Sequence, residues 1–441
     1  MLGSGYFLRL SATLAAAALL GAVIMKPEAG RRVVDKAAAF QLDPSGRADR
    51  ACAFGEPPLS GPFAPIEDVL SISPLGAVTA PGEPLPTPYI RINTRQGATA
   101  FDRRSTSALA PARAEIIAIE RRLIRNADGA AVAESWTVHF KPCEKITIGY
   151  DNLDAIEPEI LRRAGGLSSF TEIDGADHLA RATSIRIDAG DVIGAGDGFD
   201  VSLQDLTASP TQMARPERYS SNPYEEAVVF DAPPALLEAI ATDHTRARCA
   251  LDYLPIDIKG AWTPKLGDAW GMRRAKGDNA CRTALVDKAG AAQGAWFTDA
   301  SHNALTNKVS AVALAPDAVD PERLIFALHG RLKSLSPEMV SLAPTLEEQR
   351  EAAARDFLTF ERGDGRINAP FDTVEEGETY CYERLRANFV GPKINGVVLL
   401  ALSTAENGAA LMKVEARGDA TSCLDLEEPW SFTGNETTFY R

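Results

Sequence analysis

The sequence predicts a mainly β protein with peripheral helices, built from a barrel-sandwich domain followed by a second β-barrel or β-sandwich domain. Short runs of β-branched and aromatic residues with partial alternation recur along the chain, as in the segment Trp136–Phe140. The 441 residues exceed what one ordinary core accommodates, and the 45% hydrophobic and 24% charged residues are typical of globular proteins. We therefore expect more than one folded domain.

The first 25 residues have the layout of an export signal. Arg9 precedes an apolar run from Leu10 to Met25, and Lys26 follows it. The run is at the lower edge of the length that crosses a bilayer, and no clear cleavage site follows it. Residues 1–25 are therefore predicted to be either a signal peptide or an uncleaved signal-anchor. Both alternatives place the protein outside the cytoplasm, periplasmic or secreted, and the second anchors it in the membrane.

Residues 26–88 are predicted to form a tether that ends in a proline-rich segment, since proline lacks the amide donor that helices and central strands need. Residues 89–255 are predicted to form the first β domain. A trailing helix from Pro233 to Arg248 is indicated by its leading prolines and its spaced leucines. A β-rich domain is predicted over 256–441, with a helix at Thr345–Leu358.

Six cysteines are scattered through the chain: Cys52, Cys143, Cys249, Cys281, Cys381 and Cys423. No two of them form a C-x-x-C pair, which argues against a zinc knuckle or a thioredoxin-type site. An even number of cysteines after a signal-like segment predicts three disulfides. Proximity along the chain favours Cys249–Cys281 and Cys381–Cys423 and leaves Cys52–Cys143, although many other connectivities exist. The alternative is six free thiols in a cytosolic protein.

The charge balance and the histidines limit which partners and which metal sites the sequence supports. With 46 basic and 60 acidic residues, the net charge of −14 repels phosphate backbones, so we expect no nucleic-acid partner. The chain has five histidines, and none has the H-x-x-x-H spacing of a helical metal site. His139 falls in a predicted strand, and His178 falls in a loop-like segment near acidic residues. Gly194–Gly198 lacks the full G-x-G-x-x-G spacing and is interpreted as a β-turn.

Three segments, in order, resemble the β-barrel core of the lysostaphin-type zinc endopeptidases, which cleave peptidoglycan. Ala108–Ile117 resembles the family's "v-x-A-P-A-D-G-x-V" strand, and Ile146–Leu153 resembles "v-x-I-x-Y-x-H-L". Ala189–Gly194, followed by Gly198–Val201, resembles "x-x-G-x-x-I-G" followed by "H-x-H-F". The resemblance covers residues 89–206 and implies a barrel-sandwich fold whose metal ligands face one cleft.

This sequence departs from the family at every metal-binding histidine. Asn152 stands where the family places its catalytic histidine, and Gly198-Phe199-Asp200 stands in place of H-x-H. No histidine occurs between Tyr89 and Asp102, where the family's first ligand is expected. One carboxylate does not hold zinc, which needs about three protein ligands. The resemblance therefore implies a retained fold without a cofactor.

Two functional hypotheses follow. The first is a non-catalytic, pseudoenzyme-like protein of the cell envelope that binds cell-wall glycan or peptide, or an envelope protein. Its binding groove is expected to include Asn152, Asp200, His139 and His178. The second is a zinc-dependent peptidoglycan endopeptidase, or another metal-dependent hydrolase, whose rearranged ligands include His139, His178 and Asp200. In either case strands 146–153 and 198–203 should be neighbours, because the family's ligands face one cleft.

Overall fold

The structure is a computed structural model, and it describes most of the chain after residue 57. The described residues are 58–78, 86–95, 103–126, 128–173, 176–216, 240, 243–277, 280–281, 287–298, 311–327, 357–387 and 393–441. We call the described residues from 58 to 281 the first lobe and those from 287 to 441 the second lobe. Each lobe has its own hydrophobic core.

The first lobe is built almost entirely from antiparallel strands. They are β1 (Val69–Ser73), β2 (Tyr89–Thr94), β3 (Thr106–Leu109), β4 (Ala114–Arg125), β5 (Ala131–Cys143), β6 (Ile146–Leu153), β7 (Ala155–Ile156), β8 (Thr171–Glu172), β9 (His178–Ile187), β10 (Val192–Gly196) and β11 (Gly198–Asp205). Among the described residues, eight strands form one nearly closed, barrel-like sheet in the order β1-β2-β11-β6-β5-β4-β9-β8. This confirms the prediction of a mainly β fold.

Alternation along the strands explains the two faces of this sheet. Phe199, Val201 and Leu203 of β11 are all buried and belong to the first core, together with Ile148 and Tyr150 of β6. Residues at the intervening positions point to the opposite face, because successive strand side chains alternate. Polar side chains from several strands are therefore gathered on this outer face.

A three-stranded sheet in the order β3-β10-β7 packs against the barrel-like sheet. Its strand β10 ends at Gly196, and β11 begins at Gly198, so a single residue, Asp197, joins β10 to β11 of the larger sheet. The predicted β-turn at Gly194–Gly198 is therefore wrong. Gly194 pairs with both neighbouring strands, and a Cβ there would collide with the carbonyl oxygen of Ala155. The glycines permit close backbone approach rather than a turn.

The first core extends beyond the predicted limits of 89 and 255 at both ends. Leu59 and Phe63 belong to it on one side, and Trp262 and Leu266 belong to it on the other. The ring of Phe63 meets that of Trp262 edge to face at 5.3 Å. Trp262 ends a short helix, α2 (Ile256–Trp262), whereas α1 (Pro158–Arg163) lies between β7 and β8. Prolines in the segment before β1 do not prevent this packing, because it needs no helix or central strand there.

The second lobe contains a sheet of nine strands, counted over the described residues, in the order β16-β18-β19-β20-β12-β13-β14-β15-β17. They are β12 (Gly294–Phe297), β13 (Ala311–Pro316), β14 (Arg323–Ala327), β15 (Phe357–Glu361), β16 (Thr379–Tyr382), β17 (Arg386–Ala387), β18 (Val397–Thr404), β19 (Ala410–Arg417) and β20 (Thr437–Tyr440). Tyr382 of β16 contacts Phe326 and Phe360, each at 5.1 Å between ring centroids. The sheet thus curls until strands from its two ends share one core.

The predicted helix at Thr345–Leu358 is wrong at its C-terminal end. Phe357 and Leu358 begin β15, which pairs along its whole length with β14. Phe357, Leu358 and Phe360 are buried, so tertiary packing decides the conformation of this segment over local helix propensity. Residues 345–356 lie outside the described residues, as does most of the predicted helix at Pro233–Arg248. Its described end contains a 3₁₀ turn at His244–Arg246.

The two lobes are joined by polar and apolar contacts. Arg273 of the first lobe pairs with Asp317 of the second, at 2.5 Å between Nη1 and Oδ2. Val78 packs into a small cluster with Ala313 and Ile325 on the second sheet. The first lobe therefore rests on the face of the second sheet opposite its main core.

Two of the predicted disulfides are present. Cys249 is bonded to Cys281, and Cys381 is bonded to Cys423. Cys143 is also disulfide-bonded, and the predicted partner Cys52 lies outside the described residues. These bonds favour an oxidising, extracytoplasmic environment. In the described part of the chain, no helix has the length and apolar character needed to cross a membrane. The predicted signal at residues 1–25 lies outside that part.

Peptide mapping of the non-reduced protein is expected to recover cross-linked peptides for Cys249–Cys281 and for Cys381–Cys423. Because Cys381 and Cys423 are fully buried and lie 42 residues apart, replacing both with alanine should lower the free energy of unfolding by about 2–4 kcal/mol. Chemical denaturation measures this change. Recovery of these four cysteines as free thiols from the purified, non-reduced protein would contradict the assignment.

Candidate functional site

The centre of the outer face of the first sheet is formed by three adjacent strands. β4 lies between β5 and β9, and its Glu120 is paired in register with Thr137 of β5 and Ala180 of β9. His139 lies two positions further along β5, and His178 begins β9. This register brings one carboxyl group and two imidazole rings from three strands to one point.

Glu120 bridges the two histidines. Its Oε1 lies 2.7 Å from Nε2 of His139, and its Oε2 lies 2.7 Å from Nε2 of His178. All three residues are buried, with 5%, 9% and 7% of their surface exposed. Arg122 approaches the same carboxylate at 3.9 Å between Nη2 and Oε2. We call Glu120, His139 and His178 the carboxylate bridge.

The lowered pKa of Glu120 indicates which atoms of the carboxylate bridge carry protons. Burial acts to raise the pKa of Glu120, but hydrogen bonds from His139 and His178 outweigh it and hold the pKa well below its usual range. An ionised carboxylate can only accept hydrogen bonds, so Nε2 of each histidine carries a proton. Both Nε2 atoms are therefore donors to Glu120, and neither has a lone pair available for a metal.

A second polar cluster lies further along the same face, around Asp200 of β11. Its Oδ1 accepts a hydrogen bond from Nη1 of Arg91 at 2.9 Å, and its Oδ2 accepts one from Nδ2 of Asn152 at 2.6 Å. Asp200 is 1% exposed. Arg91 lies directly opposite it on β2, and Asp151 lies opposite it on β6. We call Arg91, Asn152 and Asp200 the aspartate cluster.

Burial raises the pKa of Asp200 to about 6, and the charge of Asp151 adds to the increase. The guanidinium of Arg91 and the hydrogen bond from Asn152 act in the opposite direction without cancelling it. Asp200 therefore changes its charge near neutral pH although both of its oxygens have hydrogen-bonding partners.

The position of Asn152 depends on a local irregularity in β6. Asn152 has a φ of 62°, and the register between β5 and β6 shifts beside it. Asparagine tolerates this left-handed conformation better than most residues. The side chain of Asp151 accepts hydrogen bonds from the backbone amide of Asn152 and from Thr137, which stabilises the bulge. The bulge turns the Asn152 amide towards Asp200.

The four residues predicted for the groove thus fall into two separate clusters. The predicted pairing of strands 146–153 and 198–203 is confirmed, and so is a contact between Asn152 and Asp200. Arg91 and Asn152 enclose the carboxylate of Asp200, and the binding role of the four residues stays a prediction. His178 is in a strand rather than a loop. Glu120 was missed, and its signal would have been the antiparallel pairing of β4 with β5, which places it beside His139.

Zinc does not fit these residues. In the described part of the chain, no group of three or more histidine, cysteine, aspartate or glutamate side chains is arranged to hold a metal ion. Strand β6 separates His139 from Asp200, and Gly149 of β6 lies between His139 and Ser202. The rearranged ligand set of His139, His178 and Asp200 is therefore not assembled.

Comparison with protein-family models, with curated proteins and with solved structures finds no match to this chain.

Replacing Glu120 with glutamine should destabilise the first lobe. The substitution turns one acceptor into a donor that faces the Nε2–H of a buried histidine, at a cost of about 1–3 kcal/mol in the free energy of unfolding. Chemical denaturation measures the loss. Glu115→Gln is the matched control on the same strand, where the side chain is more exposed, and it should change stability by about 0.5 kcal/mol or less. Equal effects of the two substitutions would contradict a structural role for the carboxylate bridge.

Asp200 should give the protein a characteristic pH dependence. Because its pKa is raised from 3.8 to about 6, the folded protein holds a proton in this range that the unfolded chain has released. Its contribution to stability is therefore greatest at low pH and falls as the pH rises through this window. Unfolding free energies of the wild type and of Asp200→Asn should diverge accordingly, with the wild type losing a few kcal/mol relative to the variant. A difference that does not change with pH would contradict the raised pKa.

Proposed function

We propose that this chain is a non-catalytic protein of the cell envelope that binds cell-wall material through its first lobe. The proposal is based on one observation: in both polar clusters of the outer face, the carboxylate oxygens are already hydrogen-bonded within the protein. Every carboxylate oxygen of Glu120 and Asp200 already has a partner within hydrogen-bonding distance. A hydrolytic zinc site needs open ligands and a water position, and such closed clusters supply neither.

The location outside the cytoplasm is supported by two independent features. The bonds Cys249–Cys281 and Cys381–Cys423 each tie together segments of one lobe, as is common in exported proteins. The apolar run from Leu10 to Met25 has the pattern of an export signal. The proposal includes anchoring in the membrane by an uncleaved N-terminal segment as an alternative to release of the protein.

A peptidase-like ancestry agrees with the strand pattern of residues 89–206 and with the loss of its metal ligands. Asn152 and Asp200 occupy the positions where the resembled family carries catalytic and metal-binding histidines, and they are hydrogen-bonded to each other. On this proposal, the family's fold is retained for binding and its chemistry is absent. The alternative is a metal-dependent peptidoglycan endopeptidase with rearranged ligands.

Co-sedimentation with insoluble peptidoglycan tests the proposal. The purified full-length chain should sediment with the cell wall, release no soluble fragments from it, and contain no stoichiometric zinc by elemental analysis. Asn152→Ala should still fold, with some loss of stability because Asp200 loses a hydrogen bond and alanine is strained at this φ, and it should leave these results unchanged.

Two outcomes would contradict the proposal. Failure of the chain to sediment with peptidoglycan would remove the binding function. One zinc per chain, lost in Asp200→Asn and accompanied by release of wall fragments, would establish the hydrolase instead.

A further inference from the structure

A cleft of about 330 Å³ opens at the edge of the first sheet, and its lining residues belong to neither polar cluster. Its lining residues come from four separate segments: Leu70 of β1, Arg95 just after β2, Arg104 just before β3, and Trp270 in the loop that follows α2. We call this the Trp270 cleft. Its volume lies at the lower end of the range of small-molecule sites.

Trp270 is held in an exposed position by a tight, hydrogen-bonded loop. About half of its surface (51%) is open to solvent. The amide of Gly271 donates to the carbonyl of Asp268 at 3.0 Å, and the amide of Met272 donates to Oδ1 of Asp268 at 2.8 Å. The hydroxyl of Ser71 on β1 donates to the same Asp268 carbonyl at 2.7 Å. The loop is thus fastened to the sheet while it presents an indole ring to water.

Gly271 is required by this loop. Its φ is 67°, and a Cβ atom there would lie 3.3 Å from two side-chain atoms of Leu70. Only glycine adopts this conformation without strain and leaves the floor of the cleft undisturbed. An aromatic side chain that is half exposed on a hydrogen-bonded loop is available to pack against a ligand.

Arg103 fixes one face of the indole ring. Its guanidinium lies 4.9 Å from the centre of the Trp270 ring and donates hydrogen bonds to the carbonyls of Thr94 and Ala269. This arrangement ties the end of β2 to the Trp270 loop. The ring is therefore prearranged, and binding a ligand would cost little conformational entropy.

Arg95 and Arg104 supply positive charge at the mouth of the cleft. Both are exposed, and in the described part of the chain neither side chain has an ion pair. The nearby carboxylates of Asp68 and Asp268 are engaged elsewhere, by Thr106 and by Arg273. In a chain with a net charge of −14, two exposed arginines without carboxylate partners are a notable local concentration of charge.

Neighbouring cations extend this positive region. Burial lowers the pKa of Lys265, and the charges of Arg95 and Arg274 lower it further. Burial also lowers the pKa of Arg103; the charge of Asp197 acts in the opposite direction, and the charge of Arg91 adds to the lowering. These directions are those expected where several cations share one region and burial outweighs the charge of the neighbouring Asp197.

We propose that the Trp270 cleft binds a saccharide that carries a carboxylate. The exposed face of the indole stacks on the apolar face of a sugar ring, while Arg95 and Arg104 pair with its carboxylate oxygens. The proposal rests on the cell-wall binding function in that it names the ligand class and the surface used. It assigns recognition to the sheet edge, not to the positions of the resembled family's catalytic residues.

The lining and the overall charge favour this ligand over the alternatives. A wholly apolar ligand would leave two guanidinium groups without partners. A nucleic acid carries one charge per nucleotide and would be repelled by the acidic remainder of the chain. A short saccharide with one or two carboxylates matches the size and the two arginines.

Isothermal titration of the full-length protein tests the assignment. The probes are the disaccharide of N-acetylglucosamine and N-acetylmuramic acid with its lactyl carboxylate free, as in glycan strands without stem peptides, and the same disaccharide with that carboxylate amidated, as where a stem peptide is attached. The free acid should bind, and amidation should weaken binding by about tenfold or more, because a charge-assisted hydrogen-bonded pair is lost. Trp270→Ala and the double substitution Arg95→Gln/Arg104→Gln should each weaken binding of the free acid by about tenfold or more.

Two matched controls separate the cleft from its surroundings. Met272→Ala removes a 68% exposed side chain from the same loop, and Arg113→Gln removes an exposed charge from the same lobe. Both should bind like the wild type. All variants should keep the thermal unfolding midpoint of the wild type within a few degrees, since the replaced side chains are exposed.

The outcomes distinguish the cleft from the proposed function. If the wild type sediments with peptidoglycan and Trp270→Ala does so equally, the cleft assignment is wrong and the binding function stands. If the protein binds the acidic disaccharide at the cleft but does not sediment with peptidoglycan, the cleft assignment is supported and the proposed function is wrong. Equal binding of the amidated disaccharide, or tighter binding of a single-stranded oligonucleotide, would overturn the proposed ligand class.

Discussion

The ionised carboxylate of Glu120 constrains the centre of the first sheet. A buried charge is stable only when its hydrogen-bonding capacity is satisfied, and removing one partner of a buried pair costs far more than a surface ion pair contributes. His139 on β5 and His178 on β9 satisfy it from either side, so the registers of three strands depend on one another. A slip of one residue in any of the three strands would move that strand's own member of the carboxylate bridge to the apolar face. The polar groups of the outer face therefore help to determine the strand register of the sheet.

The need to satisfy buried charged groups with hydrogen bonds also limits the chemistry that these residues can perform. Groups that catalyse or bind metals keep some capacity unused, as an open coordination position or a lone pair that faces substrate. In the carboxylate bridge and the aspartate cluster, the carboxylate oxygens already accept hydrogen bonds from other residues of the protein. Recognition is then more readily placed where side chains are presented without partners, and the Trp270 cleft has that character. A hydrogen-bonded loop, an exposed indole and two arginines that form no ion pair with a described residue are features of a binding surface rather than of a core.

Much of the fold could be predicted from the sequence, since local patterns carried the information. Strand β6 occupies the predicted segment Ile146–Leu153, and two disulfides follow from proximity along the chain. Contacts that depend on distant pairing were missed. Arg91 encloses Asp200 because β2 pairs with β11, and Phe357–Glu361 is a strand because β14 lies beside it. Neither neighbour can be identified from the residues near it in sequence. The resemblance to the lysostaphin-type endopeptidases stays a prediction.

The central claim is that Glu120 occupies Nε2 of both His139 and His178, so that neither Nε2 can bind a metal. Nitrogen-detected NMR of the protein labelled at its five histidines measures this directly, because bare and protonated imidazole nitrogens have different chemical shifts. We predict protonated Nε2 atoms in both residues and unchanged shifts when one equivalent of zinc is added. A bare Nε2 in either residue that shifts on addition of zinc would contradict the account.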